Sequence, residues 1–189
     1  VFTLALQSDG KILAGGDFTT ANQVPRQRIV RLGSFDGTVD PTFAPTANGT
    51  VRAIEQQTDG RVLLAGAFTQ IDGIARNHVG RVNANGSLDT SFDIGSGTDN
   101  PVFALTQTYV NGERKVILAG AFTVYGGITR NGVVRVNENG SVDETFAPAS
   151  GANGIVYAVA AYPTNTLNSG KILIGGEFTT VNGVGRNRI

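Results

Sequence analysis

The chain of 189 residues contains no cysteine, no methionine, no tryptophan and a single histidine. It also has no apolar run approaching the roughly 18 residues of a membrane span. Each absence removes a class of function. Without cysteine there is no disulfide, thiolate metal site or thiol nucleophile, although the compartment stays open. Without tryptophan, the usual platform for a sugar ring is missing. The sole histidine, His78, aligns with Arg28, Gly132 and Arg188 in the repeats described below, so a histidine triad has no recurring place. Lys+Arg and Asp+Glu balance at 15 each, which leaves no bulk attraction to nucleic acid or anionic membrane. No basic-then-apolar signal segment opens the chain, and it starts at Val1 inside an apolar pattern. That start reads as a processed product or a piece of something longer.

Glycine is abundant, at 26 residues, and it recurs at fixed places. Leu13-Ala14-Gly15-Gly16-Asp17-Phe18-Thr19 returns as Leu64 to Thr69, Leu118 to Thr123 and Ile174 to Thr179. The anchoring glycines Gly16, Gly66, Gly120 and Gly176 stand 50, 54 and 56 residues apart, which is the period of a repeat architecture.

The first copy opens with Val1 to Gln7, apolar at both alternating sets of positions, which predicts a strand buried on both faces. Asp9-Gly10 predicts a tight hairpin with a primed turn, and Lys11 to Phe18 returns as a second strand. A polar connection, Thr19 to Gln27, leads to a third strand at Arg28 to Leu32 that alternates charged and apolar residues. After Asp36-Gly37, Thr38 to Phe43 predicts a short polar fourth strand whose Pro41 suits a sheet edge. A graded four-stranded antiparallel unit of about 50 residues, repeated, predicts an all-β chain of β-propeller blades. About three and a half blades are expected, at 1–50, 51–101, 102–155 and, incomplete, 156–189. They form one propeller-type domain, as a partial or open ring. A β-solenoid is the alternative geometry.

The residues carrying the pattern are Gln7-x-Asp9-Gly10-Lys11-Ile12-Leu13, then Gly-Gly-x-Phe-Thr, then Arg26-x-x-x-x-Arg31-Leu32, then Asp36-Gly37-x-x-Asp40-x-x-Phe43. Taken together they resemble the delta-60 repeat, a propeller-like module of bacterial secreted and surface proteins, across essentially the whole chain. Glycine doublets also occur in kelch blades, but the missing tryptophan makes kelch the weaker match. The resemblance implies extracellular or cell-surface display in a bacterium. It brings no catalytic residues to carry over.

Two arginine series recur. Arg31, Arg81 and Arg135 precede Asp40, Asp89 and Asp143 by eight or nine residues, across the turn between the third and fourth strands. A structural ion pair is favoured there over a ring of binding sites, because an arginine fork matches a carboxylate. Arg26, Arg76, Arg130 and Arg186 each stand eight residues after the motif phenylalanine. They either anchor a loop to backbone carbonyls or present cations to an acidic ligand. Asn83-x-Asn85-Gly86-x-x-Asp89 and Asn137-x-Asn139-Gly140-x-x-Asp143 have only a faint likeness to calcium loops, since they lack the bidentate glutamate. Neither cofactor nor metal is expected, nor is catalysis: there is no dinucleotide or phosphate-loop pattern.

The copies disagree in their turns. The third inserts around Tyr109, Val110, Asn111, Gly112, Glu113 and Arg114, the fourth around Tyr162, Asn165 and Asn168, and the first has an extra residue near Phe35. These loops, with exposed aromatics, are expected on one face as the contact surface for a protein or a surface glycan. The expected function is a non-catalytic structural and interaction module. Self-assembly through the incomplete blade is a further expectation, and a carbohydrate-binding or glycan-hydrolysing propeller is the alternative.

Overall fold

The computed structural model describes residues 1–164 and 166–189. All of its described regular elements are antiparallel strands. The chain divides into two compact units, Val1–Thr90 and Ser91–Ile189. The first unit begins with β1 (Thr3–Leu6), β2 (Ile12–Gly15), β3 (Thr20–Ala21), β4 (Val24–Pro25) and β5 (Ile29–Leu32). It continues with β6 (Val51–Gln56), β7 (Val62–Gly66), β8 (Gln70–Ile71), β9 (Ile74–Ala75) and β10 (Val79–Val82). The second unit has β11 (Val102–Val110), β12 (Glu113–Gly120), β13 (Val124–Tyr125), β14 (Ile128–Thr129) and β15 (Val133–Asn137). Then come β16 (Val156–Ala161), β17 (Ile172–Gly176), β18 (Thr180–Val181) and β19 (Val184–Gly185).

Each of the first three copies forms a meander sheet: β1-β2-β5, β6-β7-β10 and β11-β12-β15. The fourth has β16-β17 alone. The expected fourth strand is reduced to one isolated bridge per blade, Leu32 to Val39, Val82 to Leu88 and Val136 to Val142. Its carboxylates and threonines bond their own neighbours there, as when Thr42 donates to Asp40, and that local bonding competes with a ladder. The turn at Asp9-Gly10 also departs from the primed form. Gly10 has positive φ and Asp9 does not, and the Gly10 amide donates to the Gln7 carbonyl, which is a type I turn ending in a left-handed glycine.

The polar connection after the motif phenylalanine contains a hairpin of its own. β3-β4, β8-β9, β13-β14 and β18-β19 pair two residues against two. Their tips have positive φ at both central residues: Asn22-Gln23, Asp72-Gly73, Gly126-Gly127 and Asn182-Gly183. This is the primed turn whose twist matches the flanking strands. The connection preceding three of these hairpins pairs with them, through bridges from Ala47 to Ile71, Thr98 to Tyr125 and Ala152 to Val181.

That connection also explains the motif threonine. The Asn48 Oδ1 accepts the amides of Thr69 and Gln70 at 2.8 and 2.9 Å, while its Nδ2 donates to the Thr69 hydroxyl at 2.8 Å. Asn153 holds Thr179 and Thr180 in the same way. Asp99 does so for Thr123 and Val124, with the Thr123 hydroxyl donating to its second oxygen at 2.7 Å. The motif phenylalanines Phe68, Phe122 and Phe178 are buried beneath these clasps, each worth about 2 kcal/mol of apolar burial. The second motif glycine is required where strands cross: a side chain on Gly66 would overlap the Thr50 carbonyl, and one on Gly176 the Ile155 carbonyl.

In the first unit, β1 and β2 pack against β6. Leu13 and partly buried Ala5 meet Ile54, Val62 and Leu64 in one core with Phe43, Phe68 and Ile71. In the second unit Ala119, Ala152, Val156 and Phe178 form the equivalent seam, joined by Val159 and Ile174. The expectation that Val1 to Gln7 is buried on both faces is corrected here. Leu4 is 65% exposed and Leu6 76%, with Phe2 also open. Alternation turns Thr3 and Ala5 toward β6 and Leu4 and Leu6 the other way.

Two measurements test these local arguments. Gln23 is the one tip residue at its position that is not glycine, with φ 65°, so Gln23→Gly is expected to stabilise the chain by about 0.5–1 kcal/mol, read as a higher thermal midpoint. For Asp99, burial disfavours the charge, but the Thr123 hydroxyl and the amides of Val124 and Thr123 outweigh it and hold the carboxyl at about 2. A depressed folded value means its contribution is present above the ordinary value of 3.8 and is lost as pH falls toward about 2. Asp99→Asn, which copies the Asn48 clasp, is expected to flatten the loss of thermal stability over that window and to leave the midpoint at pH 7 nearly unchanged.

Candidate functional site

In each of the first three blades an arginine on the third strand meets a carboxylate just past the following turn. Arg31 Nε donates to Asp40 Oδ2 at 3.0 Å, Arg81 Nε to Asp89 Oδ2 at 2.7 Å and Arg135 Nε to Asp143 Oδ2 at 2.7 Å. Each guanidinium makes at least one further hydrogen bond. Arg31 reaches the Ala84 carbonyl of the next blade at 2.8 Å and the Thr42 hydroxyl at 3.2 Å. Arg81 donates to Gln57 Oε1 at 3.2 Å, and Arg135 to the Thr145 hydroxyl at 2.9 Å. Arg31 also lies over the Phe43 ring at 4.5 Å, and Arg135 over Phe146 at 4.9 Å.

A second cation approaches each carboxylate, which the sequence analysis missed. Lys11 lies 3.3 Å from Asp40, Arg61 3.4 Å from Asp89 and Lys115 3.9 Å from Asp143. The recurring basic residue that opens the second strand is the signal that marks it. The Thr42 hydroxyl, and then the Thr42 amide and Arg31, hold Asp40 far below the usual carboxylate range against the opposing cost of burial. Burial of Asp143 works the other way and is outweighed by the Thr145 hydroxyl and Arg135, so it too is lowered.

Arg26, Arg76, Arg130 and Arg186 each donate from Nη1 to the carbonyl of the preceding residue at 2.8 Å. The Nε atoms of the first three are buried without a partner. The loops with a likeness to calcium sites are hydrogen-bonded turns: Asn85 Oδ1 accepts the Ser87 amide and hydroxyl, and Asn139 does the same for Ser141. Among the described residues no group of three His, Cys, Asp or Glu side chains is placed to hold a metal. The His78 position has φ 67°, like Arg28, Gly132 and Arg188 at 69°, 72° and 70°, so the feature these four share is a left-handed backbone.

Family matches fall on segments of the copies, at residues 7–43, 57–92, 114–146 and 167–189, to a family described as a domain of unknown function (DUF5122) β-propeller. The chain belongs to the DUF5122 β-propeller family. No curated protein and no solved structure matches it. The DUF5122 matches stop short of the irregular hairpin tips, leaving Tyr109, Asn111, Glu113 and Tyr162 outside them.

Those tips have a defined geometry. Within a DUF5122 blade the turn between the first two strands lies beside the turn after the third: a side chain on Gly10 would touch Ser34, and one on Gly60 would touch Ala84. In the first unit Phe35 stands fully exposed on this side. In the second, β11 and β12 extend as a hairpin in which Tyr109 pairs with Arg114 and Val110 with Glu113 across Asn111-Gly112. Arg114 bridges to Glu138 in the neighbouring turn at 3.3 Å, and Lys115 to Glu113 at 2.8 Å. Tyr109 is exposed at the end of this braced hairpin.

The first strands of the two blades of this unit meet at Phe103 and Tyr157, whose ring centroids are 5.4 Å apart. The loop after β16 is the turn of the fourth blade that corresponds to the extended hairpin tip. In that loop Tyr162 is half-buried rather than exposed, its amide bonded to the Lys171 carbonyl. Asn168 accepts Lys171 Nζ at 2.9 Å, and Asn165 lies outside the described residues. The residue that projects fully there is Leu167, which sequence reasoning passed over. A separate groove of about 310 Å³ in this unit is lined by Asp93, Ile128 and Glu144 beside Tyr125, whose buried hydroxyl donates to the Gly140 carbonyl at 2.7 Å.

Arg81 is almost fully buried with Asp89, so Arg81→Ala takes the nearer cation from a carboxylate in the interior, with Arg61 still at 3.4 Å. The expected cost is about 3 kcal/mol, seen as a large drop in the midpoint of urea unfolding. Arg76→Ala, which removes one bond to an adjacent carbonyl, is expected to cost about 1 kcal/mol.

Proposed function

We propose that the chain is a non-catalytic interaction scaffold, a delta-60-type propeller segment of a bacterial extracellular or surface protein, whose blades hold variable hairpins against a protein or surface-glycan partner. The observation that supports this reading most is the extended β11–β12 hairpin. It departs from the family pattern and carries an exposed tyrosine at its tip. An ion pair to Glu138 in the neighbouring turn and a second along β12, from Lys115 to Glu113, brace it. Rigid presentation of an aromatic with adjacent charges lowers the ordering cost of binding.

Leu167 and the half-buried Tyr162 belong to the corresponding turn of the fourth blade in the same unit, and Phe35 is the exposed turn residue of the first unit. The recurring ion pairs belong to the scaffold in this reading. Their carboxylates are saturated with internal donors, so they have little capacity left for a ligand.

A glycan array and a panel of immobilised bacterial surface proteins, probed with the labelled chain, test the reading. Binding is expected on one of the two, with no turnover on a glycoside substrate panel. The triple variant Phe35→Ser, Tyr109→Ser, Leu167→Ser is expected to keep its thermal midpoint and bind at least tenfold more weakly. Hydrolysis of a glycoside, or binding unchanged in the variant, would overturn it.

A further inference from the structure

Asparagine is followed by glycine seven times in the chain, at Asn48, Asn85, Asn111, Asn131, Asn139, Asn153 and Asn182. The pair has a reactivity of its own, because a glycine amide has no β-carbon to keep it away from the asparagine side chain. By sequence the seven are alike, and the fold separates them.

Six of the side chains are tied. Asn48 and Asn153 clasp the motif threonines. Asn85 and Asn139 each accept the amide and the hydroxyl of the serine two residues on. Asn131 Nδ2 donates to the Ser150 carbonyl at 2.7 Å, and Asn182 Oδ1 accepts the Gly151 amide at 3.0 Å. In three of these pairs the glycine amide is held as well: Gly86 donates to the Asn83 carbonyl, Gly132 to that of Phe122 and Gly140 to that of Asn137.

Asn111 is the exception. It is exposed at the tip between β11 and β12, and among the described residues neither its carboxamide nor the Gly112 amide has a hydrogen-bond partner. A side chain on Gly112 would meet nothing within 4 Å, so no neighbour restrains the turn. Asn111 has φ 52°, a left-handed conformation, and the flanking pair of Val110 with Glu113 is the last of the ladder. The end of a hairpin is where local opening costs least.

We infer that Asn111-Gly112 is a self-modification site, at which the folded chain deamidates without an enzyme. The Gly112 amide nitrogen attacks the side-chain carbonyl carbon of Asn111. A new carbon–nitrogen bond closes a cyclic imide, the carboxamide carbon–nitrogen bond breaks, and the displaced nitrogen leaves as ammonia with the proton from Gly112. Water then opens the imide at either carbonyl, giving aspartate or an isoaspartate whose main chain is one methylene longer. Both products put a carboxylate beside Glu113 on the hairpin that carries Tyr109. Isoaspartate also lengthens the two-residue turn that sets the register of β11 on β12. The chemistry stands on the turn geometry alone, while any effect of ageing on binding rests on the reading of this hairpin as a contact surface.

The test ages the 189-residue chain in warm, mildly alkaline buffer and maps acid and isoaspartate at each of the seven pairs by peptide mass spectrometry. No partner is present, so the outcome is independent of the binding reading. Conversion at Asn111 is expected to be roughly tenfold faster than at any other pair in the folded chain, the ratio reflecting local opening. In urea the seven are expected to convert at similar rates, because the fold no longer protects six of them. Asn111→Gln, with an unchanged circular dichroism spectrum, is expected to lose the early acidic species on ion exchange. Equal rates at all seven pairs in the folded chain, faster conversion at another pair, a preference for Asn111 that persists undiminished in urea, or early acidic species that survive in Asn111→Gln would each overturn the inference.

Discussion

Every blade of this chain has an apolar inner hairpin that it cannot cover by itself. A strand such as β6 turns Ile54 to one side and Ala53 to the other, and a lone three-stranded sheet has no second layer to bury either. Packing of one inner hairpin over the next is therefore the interaction on which the rest depends. It explains why the same leucine-class position is sealed at Leu13 and open at Leu173, and why glycine or alanine recurs where a neighbouring ridge crosses. It also explains why the connection between blades has a clasp. Once the faces meet, Asn48, Asp99 or Asn153 bonds the motif threonine and the residue after it, and the entry of the chain into the next blade is locked.

The polar side of each blade is held by a different device. Outside the apolar seam, in the first three blades, an aspartate collects an arginine and a second cation, joined in the first and third by a threonine and by a phenylalanine under the arginine. Charges withdrawn from water are tolerated only when such a set is complete. Completeness also explains the sparse fourth strand: residues that satisfy one another locally have no need of a ladder partner. Held from both sides, the blade tolerates changes in the turns between its first two strands, and the DUF5122 repeats differ most there.

Much of this was legible in the residues. The period, the meander, the pairing of Arg31 with Asp40 and the fixed spacing after the motif phenylalanine are all local or repeated signals, and repetition multiplies a weak signal four times. The small hairpins were legible in principle, since Asp72-Gly73 and Asn182-Gly183 are strong turn pairs. They were obscured because two-residue strands have no hydrophobic period to detect. The second cation on each aspartate and the Asn48 clasp join elements about 21 to 30 residues apart, where sequence spacing says nothing about direction.

By itself the sequence determined the repeat, the strand order within a blade and the residues that pair across its last turn, because those follow from alternation, turn chemistry and charge at short range. Only the tertiary structure decided which face of an apolar strand is covered. Leu4 and Ile54 read alike as hydrophobic strand residues, and one is exposed while the other is buried. Burial is a property of the neighbour that arrives, and a strand does not encode whether a neighbour is there.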